Sequence, residues 1–153
     1  MRIDAALLQP VAIWGHESRR AFRPNGEGRQ YGTLQRDDLT PPAEAWEIKR
    51  QIVEAHGLHD AEQEPVFKDF CGFITEGGAI HPHSDPDHNG KQHVRFNVMV
   101  SKPEAGGMPV QDGIEMAVEE GDVWRCDASR VKHWCTPVVG SKPRIVLSFG
   151  FLI

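Results

Sequence analysis

The spacing of hydrophobic positions changes partway along the chain. Between residues 43 and 56, Ala45, Ile48, Ile52 and Ala55 recur at three or four residues, which lays one apolar stripe along an α-helix, and Trp46 and Val53 widen it. Thr40 is placed to cap this helix, Pro41 and Pro42 suit its first turn, Glu44 and Glu47 suit its positive end, and Gly57 supplies a stop. From Pro65 onward the period falls to two. Residues 66–75 are rich in aromatic and β-branched side chains before Gly77-Gly78 interrupts them. In His93–Val100, Val94, Phe96, Val98 and Val100 alternate with Arg95, Asn97 and Met99, the pattern of a strand with two unlike faces. Short strands are predicted at 114–118, 122–126 and 131–135, separated by glycine turns, and a final one runs from Arg144 to Leu152. A helix followed by many short strands implies a mainly β domain, a double-sheet jelly roll braced by that helix.

The first forty residues are less regular. Asp4–Gln9 can form a turn or two of helix, which Pro10 is expected to end. The stretch from Trp14 to Thr40 carries Gly15, Pro24, Gly26, Gly28 and Gly32 among charged residues and reads as loop with short extended pieces. Loops of that length inside a compact domain are often functional, so this one is a candidate lid or substrate-facing segment. Arg29, Tyr31 and Arg36 carry its recognition chemistry. His56 and His59, at the end of the long helix, read as exposed or capping.

Composition narrows the function classes. With 153 residues the chain can bury one core but not two, so it is read as a single domain: a loop and helix region over 1–64 and a β core over 65–153. Hydrophobic residues make up 39% and charged residues 25%, and no segment approaches the ~20 apolar residues of a membrane span, so no membrane role is expected. A net charge of −5 gives no broad basic field for nucleic acid, and Arg19-Arg20-Ala21-Phe22-Arg23 is too short to supply one. Three cysteines, Cys71, Cys126 and Cys135, form no Cys-x-x-Cys pair. That argues against a disulfide framework or zinc ribbon and makes a reducing cytoplasm the simplest home.

The candidate chemistry lies in His81-Pro82-His83-Ser84-Asp85, completed by His133 and then by Arg144. Two imidazoles and a carboxylate suit a three-ligand facial site for divalent iron, leaving positions open for co-substrate and oxygen. A strand or its end suits the His83/Asp85 spacing, because side chains two apart point to one side. A second register, His81-x-His83 with Asp85 or Asp87 as the acid, is also open. His88 and His93 flank the turn after Asp85, and Cys126 and Cys135 read as buried structural thiols.

From Phe67 to the carboxyl terminus the chain resembles the Fe(II)- and 2-oxoglutarate-dependent dioxygenase superfamily, whose motif is His-x-Asp/Glu, a distal His and a following Arg or Lys. Arg95-Phe96-Asn97 and Gly121-Asp122-Val123-Trp124 extend the likeness toward the aspartyl/asparaginyl β-hydroxylase branch, although Asn97 stands where histidine is frequent. The resemblance implies a cupin-like double-stranded β-helix with Fe(II) on His83, Asp85 and His133. It implies 2-oxoglutarate held by Arg144, with Arg95, Asn97 and Ser148 assisting, and O2 as oxidant. The reaction implied is hydroxylation of an unactivated carbon, releasing succinate and CO2. The partner is then a small amino-acid-like or peptidyl substrate, for which Tyr31, Arg29, Arg125 and Trp124 are the candidate contacts. A cupin-type metalloenzyme working without a keto acid, and a noncatalytic jelly-roll binding module, are the competing classes.

Overall fold

A computed structural model describes residues 1–153. Two helices, α1 (Ala5–Ser18) and α2 (Ala43–His56), pack on one face of a large antiparallel sheet. Between them come β1 (Arg23–Pro24) and β2 (Arg29–Thr33). The chain continues through β3 (Glu62–Gln63), β4 (Asp69–Ile74), β5 (Ile80–His83), β6 (His93–Ser101), β7 (Ala105–Gly106), β8 (Pro109–Gln111) and β9 (Ile114–Glu115). It ends with β10 (Val123–Cys126), β11 (His133–Cys135), β12 (Val138–Val139) and β13 (Arg144–Leu152). The large sheet runs β1-β2-β4-β13-β6-β10, with β3 pairing the end of β13. A smaller sheet runs β5-β11-β8-β9, and β7 pairs β12 in a ribbon. The mainly β, jelly-roll expectation therefore holds. No helix is long and apolar enough to cross a membrane.

Alternation on the large sheet decides what lies on each side. Val94, Phe96, Val98 and Val100 of β6, Ile145, Leu147, Phe149 and Phe151 of β13, and Cys71 and Phe73 of β4 join the helices in one core. Their neighbours therefore face the small sheet: Arg95 and Asn97 of β6, Arg144, Val146 and Ser148 of β13, and Phe70, Gly72 and Ile74 of β4.

Several local expectations change. Pro10 does not end the first helix; α1 continues to Ser18, capped by Asp4, whose carboxylate accepts the Ala6 N–H at 2.8 Å. A proline inside a helix costs about 3 kcal/mol. Burial of Leu8, Val11 and Trp14, each contributing roughly 1.5–3 kcal/mol, outweighs it. Gly15 is a packing residue rather than a breaker: a Cβ there would touch Ile145 and Cys71 at 3.6 and 3.7 Å. In α2 the cap position falls to Pro42, because Thr40, followed by proline, is biased away from helical geometry and stands outside the helix. Gly57 ends α2 in the left-handed conformation as expected, but Trp46 is exposed rather than part of the apolar face. Residues 65–68 fold over the buried Glu64, whose carboxylate accepts the N–H groups of Val66, Phe67 and Lys68 at 2.6–3.0 Å. The segment expected as a loop supplies β2, an inserted strand of the large sheet.

Candidate metal centre and its cavity

His83 closes β5, and His133 opens β11 directly opposite it in the antiparallel ladder. That register sets the two imidazoles side by side, with ring centroids 4.3 Å apart. Asp85 lies just past the strand, its N–H fixed on the Ala128 carbonyl at 2.8 Å. Its carboxylate stands 3.7 Å from His83 Nε2 and 3.6 Å from His133 Nε2. One donor atom from each residue falls within 4.8 Å of the others.

The tautomers are set locally. His83 Nδ1 lies 2.7 Å from the His81 carbonyl and His133 Nδ1 lies 3.1 Å from the Val131 carbonyl. A carbonyl only accepts, so each Nδ1 carries a hydrogen, and the Nε2 atom of each ring is the one turned toward Asp85 and able to meet a metal. Burial alone would lower the His133 pKa, but the Asp85 carboxylate foremost, with Cys126 and the Val131 carbonyl, raises it to about 10. Burial works against the Asp85 charge as well, and hydrogen bonding to His133 with the nearby imidazoles lowers its pKa nonetheless. Surroundings that favour positive charge between these donors favour a metal ion for the same reason. Donors sharing one ion at about 2.0–2.2 Å lie roughly 3–3.6 Å apart, and the imidazole–carboxylate separations of 3.7 and 3.6 Å stand close to that range. Nitrogen and carboxylate donors in a 2-His-1-carboxylate set suit a divalent transition metal.

These residues form the roof of a cavity of about 390 Å³ between the sheets, at the small end for ligand sites. Its floor includes Arg29 and Tyr31 of β2, Phe70, Gly72 and Ile74 of β4, Arg144, Val146 and Ser148 of β13, Arg95 and Asn97 of β6, and Trp124 of β10. The sequence-predicted residues thus converge, with differences in how free they are. Arg144 is buried and donates from Nε to the Gly107 carbonyl at 2.6 Å, leaving its two terminal nitrogens without a protein partner. Arg95 is fully engaged. Nε donates to Ser148 Oγ at 2.7 Å, Nη1 meets Glu64 at 3.2 Å, Nη2 donates to the Lys68 carbonyl at 2.7 Å, and the guanidinium stacks 4.5 Å from the Phe70 ring.

Two expected contacts lie elsewhere. Because Trp124 and Cys126 face the cavity, Arg125 between them points outward, exposed and paired with Asp127 at 2.7 Å; it is corrected out of the candidate substrate contacts. Arg36 is likewise outside, bound to Asp38 and the Ala21 carbonyl. His81 lines the rim and contributes its carbonyl to His83.

Glu64 carries no site signal in the sequence, and His93 reads there only as a loop or strand-edge residue flanking the turn after Asp85. Both are buried, and His93 Nε2 lies 3.2 Å from Arg95 Nη1 while its Nδ1, without a hydrogen-bond partner, faces Asp85 at 3.9 Å. Burial, assisted by the Arg95 charge, lowers the His93 pKa to about 4. The signal available for Glu64 was only a carboxylate preceding Pro65, which does not distinguish a buried anchor from a loop residue.

No protein-family model matches the chain, and no curated protein matches it in sequence. Solved structures do match its shape. A Pseudomonas putida prolyl-4-hydroxylase is 18% identical, covers 98% of this chain and 87% of its own, and superposes with a TM-score of 0.67. HygX from Streptomyces hygroscopicus, solved with nickel and 2-oxoglutarate bound, is 11% identical over 98% of this chain and 79% of its own, with a TM-score of 0.68. AviO1 from Streptomyces viridochromogenes is 12% identical over 99% and 86%, with a TM-score of 0.69. At these identities the likeness establishes a shared fold.

Proposed function

We propose that the protein is an Fe(II)- and 2-oxoglutarate-dependent oxygenase that hydroxylates an unactivated carbon of a small amino-acid-like or peptidyl substrate. The carrying observation is the convergence, in one cavity, of a metal-ready His83/Asp85/His133 set and the unpartnered fork of Arg144. Iron with the keto acid supplies oxygen activation coupled to decarboxylation, chemistry that no side chain provides. His83, Asp85 and His133 hold the ion. Arg144 binds the distal carboxylate of 2-oxoglutarate, for which its two free donors on a planar fork are suited. Ser148, which already accepts from Arg95, keeps a hydroxyl hydrogen for the same ligand, and Asn97 lines the floor beside it. Arg95, neutralised by Glu64, holds that floor in position rather than binding a ligand directly. Val146, Ile74 and Trp124 exclude water around the reacting carbon.

The aspartyl/asparaginyl β-hydroxylase branch remains the reading of the Arg95/Asn97 motif. The test is succinate release from 2-oxoglutarate, with and without iron, across free amino acids and short peptides. Anaerobic Fe(II) with 2-oxoglutarate is expected to give a metal-to-ligand absorption band that His83→Ala abolishes. A spectrum unchanged by that substitution sinks the metal assignment.

A further inference from the structure

The cavity carries a second unpartnered arginine, Arg29. It sits in one cross-strand row with Arg144: Arg29 is registered on Ile74 of β4, and Ile74 on Arg144 of β13. Both side chains line the cavity, two strands apart, so their Cα atoms are about 9.5 Å from each other. The Arg29 guanidinium has no hydrogen bond or ion pair within the protein, and its partial burial lowers its pKa. Its backbone is nevertheless pinned. The β2–β4 pairing holds one side and continues where the Gly28 carbonyl accepts the Thr75 N–H at 2.8 Å, with Gly78 so close that a Cβ there would lie 2.8 Å from the same oxygen; on the other side the Arg29 carbonyl accepts the Asn25 N–H at 2.8 Å.

Charge accounting shows what this arginine lacks. Asp85 is the one acidic residue lining the cavity, against Arg29, Arg95 and Arg144. Glu64 answers Arg95 from behind. A divalent ion on the triad, offset by Asp85, together with Arg29 and Arg144, leaves one positive charge beyond what dianionic 2-oxoglutarate balances. A partly buried charge without a partner is costly, so the site is built for one further anion. A single unmet charge fits a carboxylate rather than a phosphate dianion. Beside it stands an aromatic wall, with Tyr31 ring centroids 5.8 Å from Phe67 and 6.0 Å from Phe70.

We propose that Arg29 anchors the carboxylate of the substrate, which is a small organic acid with an apolar or aromatic body laid against Tyr31, Phe67 and Phe70. This rests on the oxygenase reading and specifies its substrate class.

The test measures equilibrium binding by calorimetry to protein loaded with nickel(II) and 2-oxoglutarate. The probes are 3-phenylpropanoate, its uncharged amide 3-phenylpropanamide, and phenyl phosphate. The wild-type protein is expected to bind the acid about tenfold or more tightly than the amide. Arg29→Gln is expected to erase that preference, Arg29→Lys to retain part of it, and Arg36→Gln, outside the cavity, to retain all of it. Equal binding of acid and amide by the wild-type protein, or tighter binding of phenyl phosphate than of the acid, overturns the proposal while leaving the oxygenase reading standing. Loss of 2-oxoglutarate affinity in Arg29→Gln as large as that in Arg144→Gln also overturns it, by giving Arg29 to the co-substrate. If the nickel-loaded wild-type protein binds no 2-oxoglutarate at all, the oxygenase reading and the charge count built on it both fall.

Discussion

His83 and His133 occupy the same rung of the β5–β11 ladder, so the two imidazoles are neighbours through backbone register alone. Asp85 then needs only the two residues after His83 to reach both Nε2 atoms. Metal should therefore stabilise the fold as well as serve chemistry. At a free nickel(II) concentration about a hundred times its Kd, linkage predicts about 2.7 kcal/mol of stabilisation and a rise in Tm of about 5–10 °C for a chain of this size. A thermal melt of His83→Ala is expected to show no such rise.

Arg144 presents two free nitrogens to the cavity and fixes its third on Gly107. Arg144→Gln removes the charge-assisted pair, and the KM for 2-oxoglutarate is expected to increase about ten- to hundredfold in succinate-release assays. Arg144→Lys keeps the charge but not the fork and should fall between the two. A KM within twofold of wild type in both variants would remove Arg144 from co-substrate binding.

Glu64 answers three backbone N–H groups and Arg95 from a site with no solvent exposure. Glu64→Ala strands the Arg95 charge and frees the 65–68 turn. A loss of about 3–5 kcal/mol in urea unfolding is expected.

Gly150 faces the same network. A Cβ at this position would lie 2.7 Å from Arg95 Nη1 and 2.9 Å from the Lys68 carbonyl. Gly150→Ala should cost about 1–3 kcal/mol by overpacking, read in the same unfolding experiment.

Cys71 lies between the large sheet and α1 with no exposure, and burial pushes its thiol up to about 12. The neutral thiol is favoured by the fold, so whatever stability this preference contributes is intact below the ordinary thiol pKa and is lost as pH rises toward 12. At pH 8 the native protein should leave Cys71 unlabelled by iodoacetamide, as peptide mapping would show, and denaturant should expose it.

The sequence by itself determined the elements whose signal is periodic. The β6 alternation, the stripe of Ala45, Ile48 and Ile52, and the β13 run all rest on side-chain spacing that only one secondary structure can bury. It also held the chemical types of the triad and of Arg144. Only tertiary structure decided how free each residue is. Arg95 and Arg29 look alike in sequence, yet one is consumed by Glu64, Ser148 and Lys68 and the other faces the cavity unpaired. Arg125 loses its place because strand alternation around Trp124 and Cys126 turns it outward. Pro10 and Gly15 read as breakers, and burial of α1 against the sheet overrides them. In each case the deciding term is a partner or surface contributed from far along the chain, which local pattern does not encode.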